Sequence, residues 1–214
     1  HYNLIKFNLM QPLISCLCPT KNPPKTVKVA IDCFNNQTYP NKELILVTDE
    51  KNAYIEDLKK LTSDNIKLFY APYESTIGTL RNISVDNAKG EYIATWDDDD
   101  VYHKDRLTVQ YNAIIRLNKE SCFLKRVLVH DIVSGNKGIS KTGRSIENTM
   151  VALKKATPRY EESKKIAEDV PIKNFFLSKG KCIIIDEPQL YVYNIHENNT
   201  CEYEHLIDVI DVII

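Results

Sequence analysis

Long apolar runs are missing from this 214-residue sequence, and none approaches the roughly 20 consecutive residues needed to span a bilayer. No segment therefore reads as a transmembrane helix. Net charge is almost absent as well, with 28 Lys+Arg against 29 Asp+Glu, so no global positive field points to nucleic acid and any anionic ligand must be held locally. No Cys-x-x-Cys occurs, which removes the usual spacing of zinc and redox pairs. Cys16, Cys18, Cys33, Cys122, Cys182 and Cys201 lie mostly in apolar runs and are expected to be reduced thiols packed as small hydrophobes in a cytosolic protein. Internal repeats, low-complexity tracts and a clear linker are also missing, and the length suits one compact unit. His1 to Leu13 lack the compact apolar stretch and small-residue cleavage site of a secretory signal, so residues 1–12 read as a leader, a tag remnant or an extension, with Met10 available as a native start.

What is present is pattern. "PLISCLCPT" and "KELILVTDE" are continuous apolar runs of the kind that suit strands buried on both faces, and Val27, Ala30, Ile31 and Phe34 recur between them at helical spacing. The unit repeats: Ile55, Leu58 and Leu61 mark a short helix, "IKLFYA" a strand, and Ile77, Leu80, Ser84 and Ala88 a second helix stopped at Lys89-Gly90. "EYIATW" is the next strand, followed by a helix on which Leu107, Tyr111, Ile114 and Ile115 share a face. After "RLNKES" the character changes. "CFLKRVLVHDIVSG" and "TMVALKK" read as strands around the turn "GNKG", "AEDVPIKNFFLSKG" as a helix stopped by Gly180, and "KCIIID" and "LYVYNI" as further strands.

The strand "EYIATW" runs directly into four adjacent carboxylates, Asp97 to Asp100. In open α/β sheets ligands bind outside the carboxyl ends of strands, so the position alone makes the cluster a candidate site. Adjacent carboxylates repel and raise one another's pKa values, a cost that makes sense where a cation is to be bound. Asp97 and Asp99 form an Asp-x-Asp pair that alternation on an extended chain points the same way. Trp96, continuing the strand's alternation, reads as core.

These residues together resemble the family-two glycosyltransferases of GT-A fold, which move a sugar from a nucleotide diphosphate to an acceptor. The resemblance rests on "CPTKN", "LVTDE", "LRNISVDNAKGEYIATWDDDD", "AEDVPIKNFF" and "YVYNIHENN", in that order, and covers about Leu13 to Asn199. It implies an α/β fold with a Rossmann-like, mostly parallel sheet flanked by helices and a smaller mixed second half. Residues 13–200 are then one domain, with 13–118 the nucleotide-sugar-binding half and 119–200 the acceptor-side half. The apolar segment 201–214 packs a terminal element, meets a partner domain or second copy, or marks the boundary of a longer chain. The family's usual acidic pair after the second strand is here "TDEK", which keeps one acid, Asp49.

The resemblance also implies roles. Breaking the sugar–diphosphate bond builds negative charge on the leaving group, and with no net positive field Mn2+ or Mg2+ is the cation expected to take it up. Asp99 is implied as a direct metal ligand. Asp97 and Asp98 share the metal, its waters and the ribose hydroxyls, and Asp100 caps or braces the turn. His196 sits where family members carry a His near the diphosphate or metal. Pro19 and Thr20 end the first strand where backbone approaches a base, and Asp49 can accept from a uracil imide N–H, favouring a UDP-sugar, or else cap the next helix. Arg81 and Asn82 match the family's Arg-Asn pair near base or phosphate. Asp169 is implied as the general base of an inverting transfer to an acceptor hydroxyl, with Glu168 orienting the loop or touching the acceptor. The acceptor is a glycan, protein or lipid. The location implied is cytoplasmic, or membrane-peripheral on the cytoplasmic side. A non-catalytic nucleotide-sugar or carbohydrate-binding relative is the alternative. A nucleotidyltransferase of related fold is not favoured, because "CPTKNPPKT" has no glycine.

Overall fold

The computed structural model describes residues 11–142, 146–164, 167–197, 199, 207 and 210–213. Strand β1 (Ile14–Thr20), helix α1 (Pro24–Asn35) and strand β2 (Lys42–Asp49) form the first unit. Helix α2 (Ile55–Lys59), strand β3 (Ile66–Ala71), helix α3 (Ile77–Asn87) and strand β4 (Tyr92–Thr95) complete the alternation read from the sequence. Pro24 opens α1, where its missing N–H costs nothing. The α3 terminus is capped by Thr76, whose hydroxyl accepts from the Thr79 N–H at 3.2 Å.

The later elements are β5 (Val101–Tyr102), α4 (Arg106–Arg116), β6 (Ser121–Leu124), β7 (Leu128–Asp131), β8 (Lys137–Ser140), β9 (Val151–Leu153), α5 (Val170–Ser178), β10 (Cys182–Ile185), β11 (Tyr191–Ile195) and β12 (Ile210–Ile213). Seven strands make the main sheet in the order β10-β6-β9-β4-β1-β2-β3, and five make a second sheet, β12-β8-β7-β11-β5. In the main sheet β3, β2, β1 and β4 run parallel, β10 is parallel to β6, and β9 alone is antiparallel to its neighbours β4 and β6.

Every residue of β1 is buried, because alternate side chains enter two different cores. Cys16, Cys18, Leu44 and Leu46 pack with α1 and α4 on one face. Leu17, Ile45, Val47 and Ile93 pack with α3 and α5 on the other. This is why the first strands read as unbroken apolar runs. Trp96 is fully buried, as expected, and its indole N–H donates to the Ala30 carbonyl at 3.1 Å. The described cysteines Cys16, Cys18, Cys33, Cys122 and Cys182 are free thiols, and Cys201 lies outside the described residues.

Four expectations need correction. "CFLKRVLVHDIVSG" is two strands in different sheets, since the chain leaves the main sheet after Leu124 and enters the second at Leu128. Gly90 does not stop α3 by a left-handed turn: the helix ends at Asn87 with Ala88 extended. Its small size serves close approach instead, for a Cβ there would lie 2.6 Å from Ser15 Oγ and 2.7 Å from the Leu13 carbonyl. Gly180, by contrast, does end α5 with φ +62, as expected. Ile115 is 37% exposed and so turned away from the face shared by Leu107, Tyr111 and Ile114. Lastly, the four acids do not continue an extended strand, since β4 ends at Thr95 and the chain turns at Asp98 and Asp99.

In the apolar C-terminal segment, β12 pairs antiparallel with β8 at the sheet edge, and Ile207 and Ile210 pack on the core. Leu206, Val209 and Ile214 lie outside the described residues. No described helix is long and apolar enough to cross a membrane.

Candidate active site

Strand order fixes where the site lies. From β1 the chain steps outward to β2 and β3, then returns to place β4 on the other side of β1. The crevice at such a reversal opens at the carboxyl ends of the two strands, here Thr20 and the turn after Thr95. The two are tied across it: Thr20 Oγ1 donates to Asp98 Oδ2, and Asn22 Nδ2 donates to Asp98 Oδ1 at 3.0 Å. Asp98 is thereby buried and committed to holding the β1 loop.

The four acids alternate in exposure although they lie on a turn. Asp98 and Asp100 are buried, while Asp97 and Asp99 are half-buried and face outward. Asp100 is the most thoroughly bonded, because Tyr191 Oη donates to Oδ2 at 2.5 Å and the Asn194 N–H to Oδ1 at 2.8 Å. It braces the turn against β11. Asn194 Nδ2 also donates to the Asp99 carbonyl at 2.7 Å, and Tyr102 Oη to the Asp97 carbonyl at 2.8 Å.

On the outward pair, Asp97 Oδ1 accepts from Arg81 Nη2 at 2.9 Å and Asp99 Oδ2 lies 3.1 Å from His196 Nε2. The Asp99 hydrogen bond raises the His196 pKa. Burial lifts the carboxyls of Asp97, Asp98 and Asp100; the charge of Asp99 raises all three further, and Asp98 is pushed to about 7. Ionised together, the four acids would place more negative charge on the turn than Arg81 and His196 relieve, which adds to burial in making the carboxyls of Asp97, Asp98 and Asp100 hold protons more readily than free ones.

Arg81 links this turn to the other predicted acids. It is 4% exposed, so the pair Arg81 and Asn82 is buried rather than an exposed helix surface. Arg81 Nε donates to Glu168 Oε1 at 2.8 Å, and its guanidinium is thus taken up by two carboxylates of the chain itself. Asn82 clamps the loop before them: Nδ2 donates to the Tyr160 carbonyl at 3.0 Å and to Glu162, and Oδ1 accepts the Tyr160 N–H at 2.9 Å. Asp169 stands at the N-terminus of α5 without capping it. Burial pushes its carboxyl up to about 7, Arg81 pulls it down, and Glu168, Glu147 and Asp97 raise it. Ala167 beside them has φ +62, a left-handed conformation that costs a non-glycine residue energy and that clusters at functional sites.

Asp49 is 7% exposed at the end of β2, and both its oxygens accept main-chain N–H groups, Lys51 at 2.8 Å and Glu74 at 2.7 Å. It braces the junction of two loops at the same sheet edge. Pro19, buried in β1, pairs in register with Val47. The sequence reading missed Asn22, Tyr102, Tyr160, Tyr191 and Asn194. Asn22 lay in the "CPTKN" motif and Tyr191 and Asn194 in "YVYNIHENN"; Tyr102 matters through the nearby Asp97 carbonyl, and Tyr160 through Asn82, far along the chain.

A divalent cation fits the donors present. Among the described residues no three His, Cys, Asp or Glu side chains form a ready-made metal cage. Yet Asp97 Oδ2 and Asp99 Oδ1 make no hydrogen bond to described residues, and Mg2+ or Mn2+ characteristically takes one or two carboxylates and completes its shell from substrate phosphate.

Comparison with known proteins identifies the family and the fold. The family model described as "Glycosyl transferase family 2" matches residues 15–173. The amylovoran biosynthesis glycosyltransferase AmsB of Erwinia amylovora is 31% identical over 109 residues, 48% of this chain and 36% of that protein. WfgD of Escherichia coli, a UDP-Glc:alpha-D-GlcNAc-diphosphoundecaprenol beta-1,3-glucosyltransferase, is 27% identical over 107 residues, 50% of this chain and 42% of that one. The chain thus spans well under half the length of these curated relatives. The crystal structure of S. aureus TarS 1–349 with UDP-GlcNAc superposes with a TM-score of 0.71 at 17% identity, over 87% of this chain and 60% of that one. At that identity the likeness is one of fold, and the fold is the GT-A type.

Proposed function

The chain belongs to glycosyl transferase family 2, and we propose that it moves a sugar with inversion from a UDP-sugar to an acceptor hydroxyl, with a divalent cation and Asp169 as general base. The observation that carries this reading is the arrangement around Arg81. One buried guanidinium joins Asp97, on the acid turn at the switch between β1 and β4, to Glu168, the neighbour of Asp169.

Asp97 and Asp99 with His196 would hold Mn2+ or Mg2+, which when bound neutralises charge on the leaving diphosphate. The chain's own residues do the rest. Thr20 and Asn22 fix Asp98 and with it the height of the turn against the β1 loop. Pro19, Thr20 and Asp49 edge the cleft where a uracil would lie, Asp49 holding the loops that shape it. The acceptor O–H gives its proton to Asp169 as its oxygen bonds the anomeric carbon and the bond to the diphosphate breaks on the opposite face. A carboxyl titrating at about 7 is a stronger base than an ordinary aspartate and still has about half its population ionised at neutrality.

The likeness to WfgD and to the UDP-GlcNAc complex of TarS supports a UDP-sugar donor. Thermal unfolding with UDP, GDP and CDP, each with and without Mn2+, tests the reading. UDP with Mn2+ should raise the melting temperature most, because a ligand stabilises according to its affinity for the folded state. Binding without release of UDP from any UDP-sugar would favour a non-catalytic relative.

A further inference from the structure

Arg81 stands between the donor side and the proposed base, and its surroundings are unusually closed. Its side chain is 5% exposed, against 19% for Asp97 and 6% for Glu168. Nη1 is buried with no hydrogen-bond partner among the described residues, and the ring of Tyr160 lies 5.7 Å from the guanidinium carbon. A guanidinium is a rigid, permanently charged fork, so the two carboxylates it binds are fixed relative to each other and not merely attracted. The same helix, through Asn82, clamps the Tyr160–Glu162 loop that leads toward Glu168.

We infer that Arg81 is a positioning residue that ties the acid turn to Asp169, so that donor side and proton acceptor are held in register by one side chain. This rests on the reading of Asp169 as the base. The charges that act on Asp169 most are those of Arg81 from α3, Glu168 from its own turn, Glu147 from the turn before β9 and Asp97 from the acid turn. Tyr160 feels its charge, and Glu147 is itself paired with Lys173 of α5. Of the groups that move Asp169 most, Arg81 alone favours the carboxylate.

The consequence has a sign. Removing the guanidinium raises the pH at which Asp169 gives up its proton, and removing the Glu168 charge lowers it. A 13C-carboxyl NMR titration of the whole chain reads this without an acceptor, Asp169 being assigned with Asp169→Asn. Arg81→Gln should move the Asp169 titration up by about one pH unit or more, and Glu168→Gln should move it down. An unmoved titration in a folded Arg81→Gln chain overturns the inference. Should that variant not fold, Glu168→Gln decides, and an unmoved value there overturns it equally. Release of UDP from a UDP-sugar with Mn2+, measured against pH in the same variants, separates the inference from the reading beneath it. If the NMR titration moves and the acid limb of turnover does not follow, Arg81 positions Asp169 but Asp169 is not the base.

Discussion

The phenol of Tyr191 donates a 2.5 Å hydrogen bond to Oδ2 of Asp100, and both side chains are buried. The same hydroxyl accepts from Asn148 Nδ2 at 2.7 Å, so one oxygen joins β11, the acid turn and the turn before β9. Tyr191→Phe removes that oxygen and leaves Asp100 with the Asn194 N–H alone. We expect a loss of about 1–3 kcal/mol in urea unfolding, the usual cost of a buried polar group left short of a partner. The acid turn should loosen with it, weakening stabilisation by UDP and Mn2+. Unchanged stability would mean that Asp100 finds another donor.

The acid cluster makes the pH dependence of stability run the opposite way from that of a salt-bridged carboxylate. Burial lifts Asp98 and Asp169 to about 7, whereas an unfolded Asp titrates near about 3.9. Between those values the folded chain holds protons that the unfolded chain has released, so stability falls as pH rises from about 4 to about 7. The chain without metal should therefore melt higher at pH 5 than at pH 8. Asp98→Asn should flatten that slope, and Mn2+ should restore stability at pH 8. A melting temperature that rises from pH 5 to pH 8 without metal would contradict the charge distribution described above.

The alternation of strands and helices up to Thr95 was legible because the main sheet is buried on both faces, which leaves continuous apolar runs between helical periods. The site was legible as residue types: Asp97 to Asp100, Arg81, Glu168 and Asp169 do gather at the sheet reversal. Their partnerships were not. Arg81 meets Glu168, and Asp100 meets Tyr191, only through the fold of segments far apart in the chain, and no periodicity encodes such a pairing. The run from Cys122 to Asp131 misled for a related reason. An apolar stretch that changes sheets at Lys125 and Arg126 looks locally like one that does not, and these two basic residues, both paired with Asp186, mark the break.

Asp99 is the outward acid facing His196, and it should decide cation-dependent binding. In Asp99→Ala, UDP should still give a small thermal shift while the additional shift from Mn2+ disappears, because the hard oxygen ligand is gone and the cleft itself remains. His196→Gln should weaken the Mn2+ increment and not abolish it. Should Asp99→Ala keep the full increment, the metal assignment moves elsewhere in the turn.

Asp169→Asn separates binding from chemistry. The substitution keeps the shape of a side chain that makes no cap to α5, so UDP and Mn2+ should stabilise the variant as they do the parent. Release of UDP from a UDP-sugar should fall by about 10²–10⁴-fold, the range that general base catalysis contributes, since an amide cannot take the nucleophile's proton. If Asp169 is the base, the parent chain works only with it ionised, so turnover should climb as pH rises through about 7 and reach a plateau above it. The variant's residual rate should lack that limb. Retention of both rate and limb in Asp169→Asn would remove Asp169 from the role of base and leave Glu168 as the carboxylate to test next.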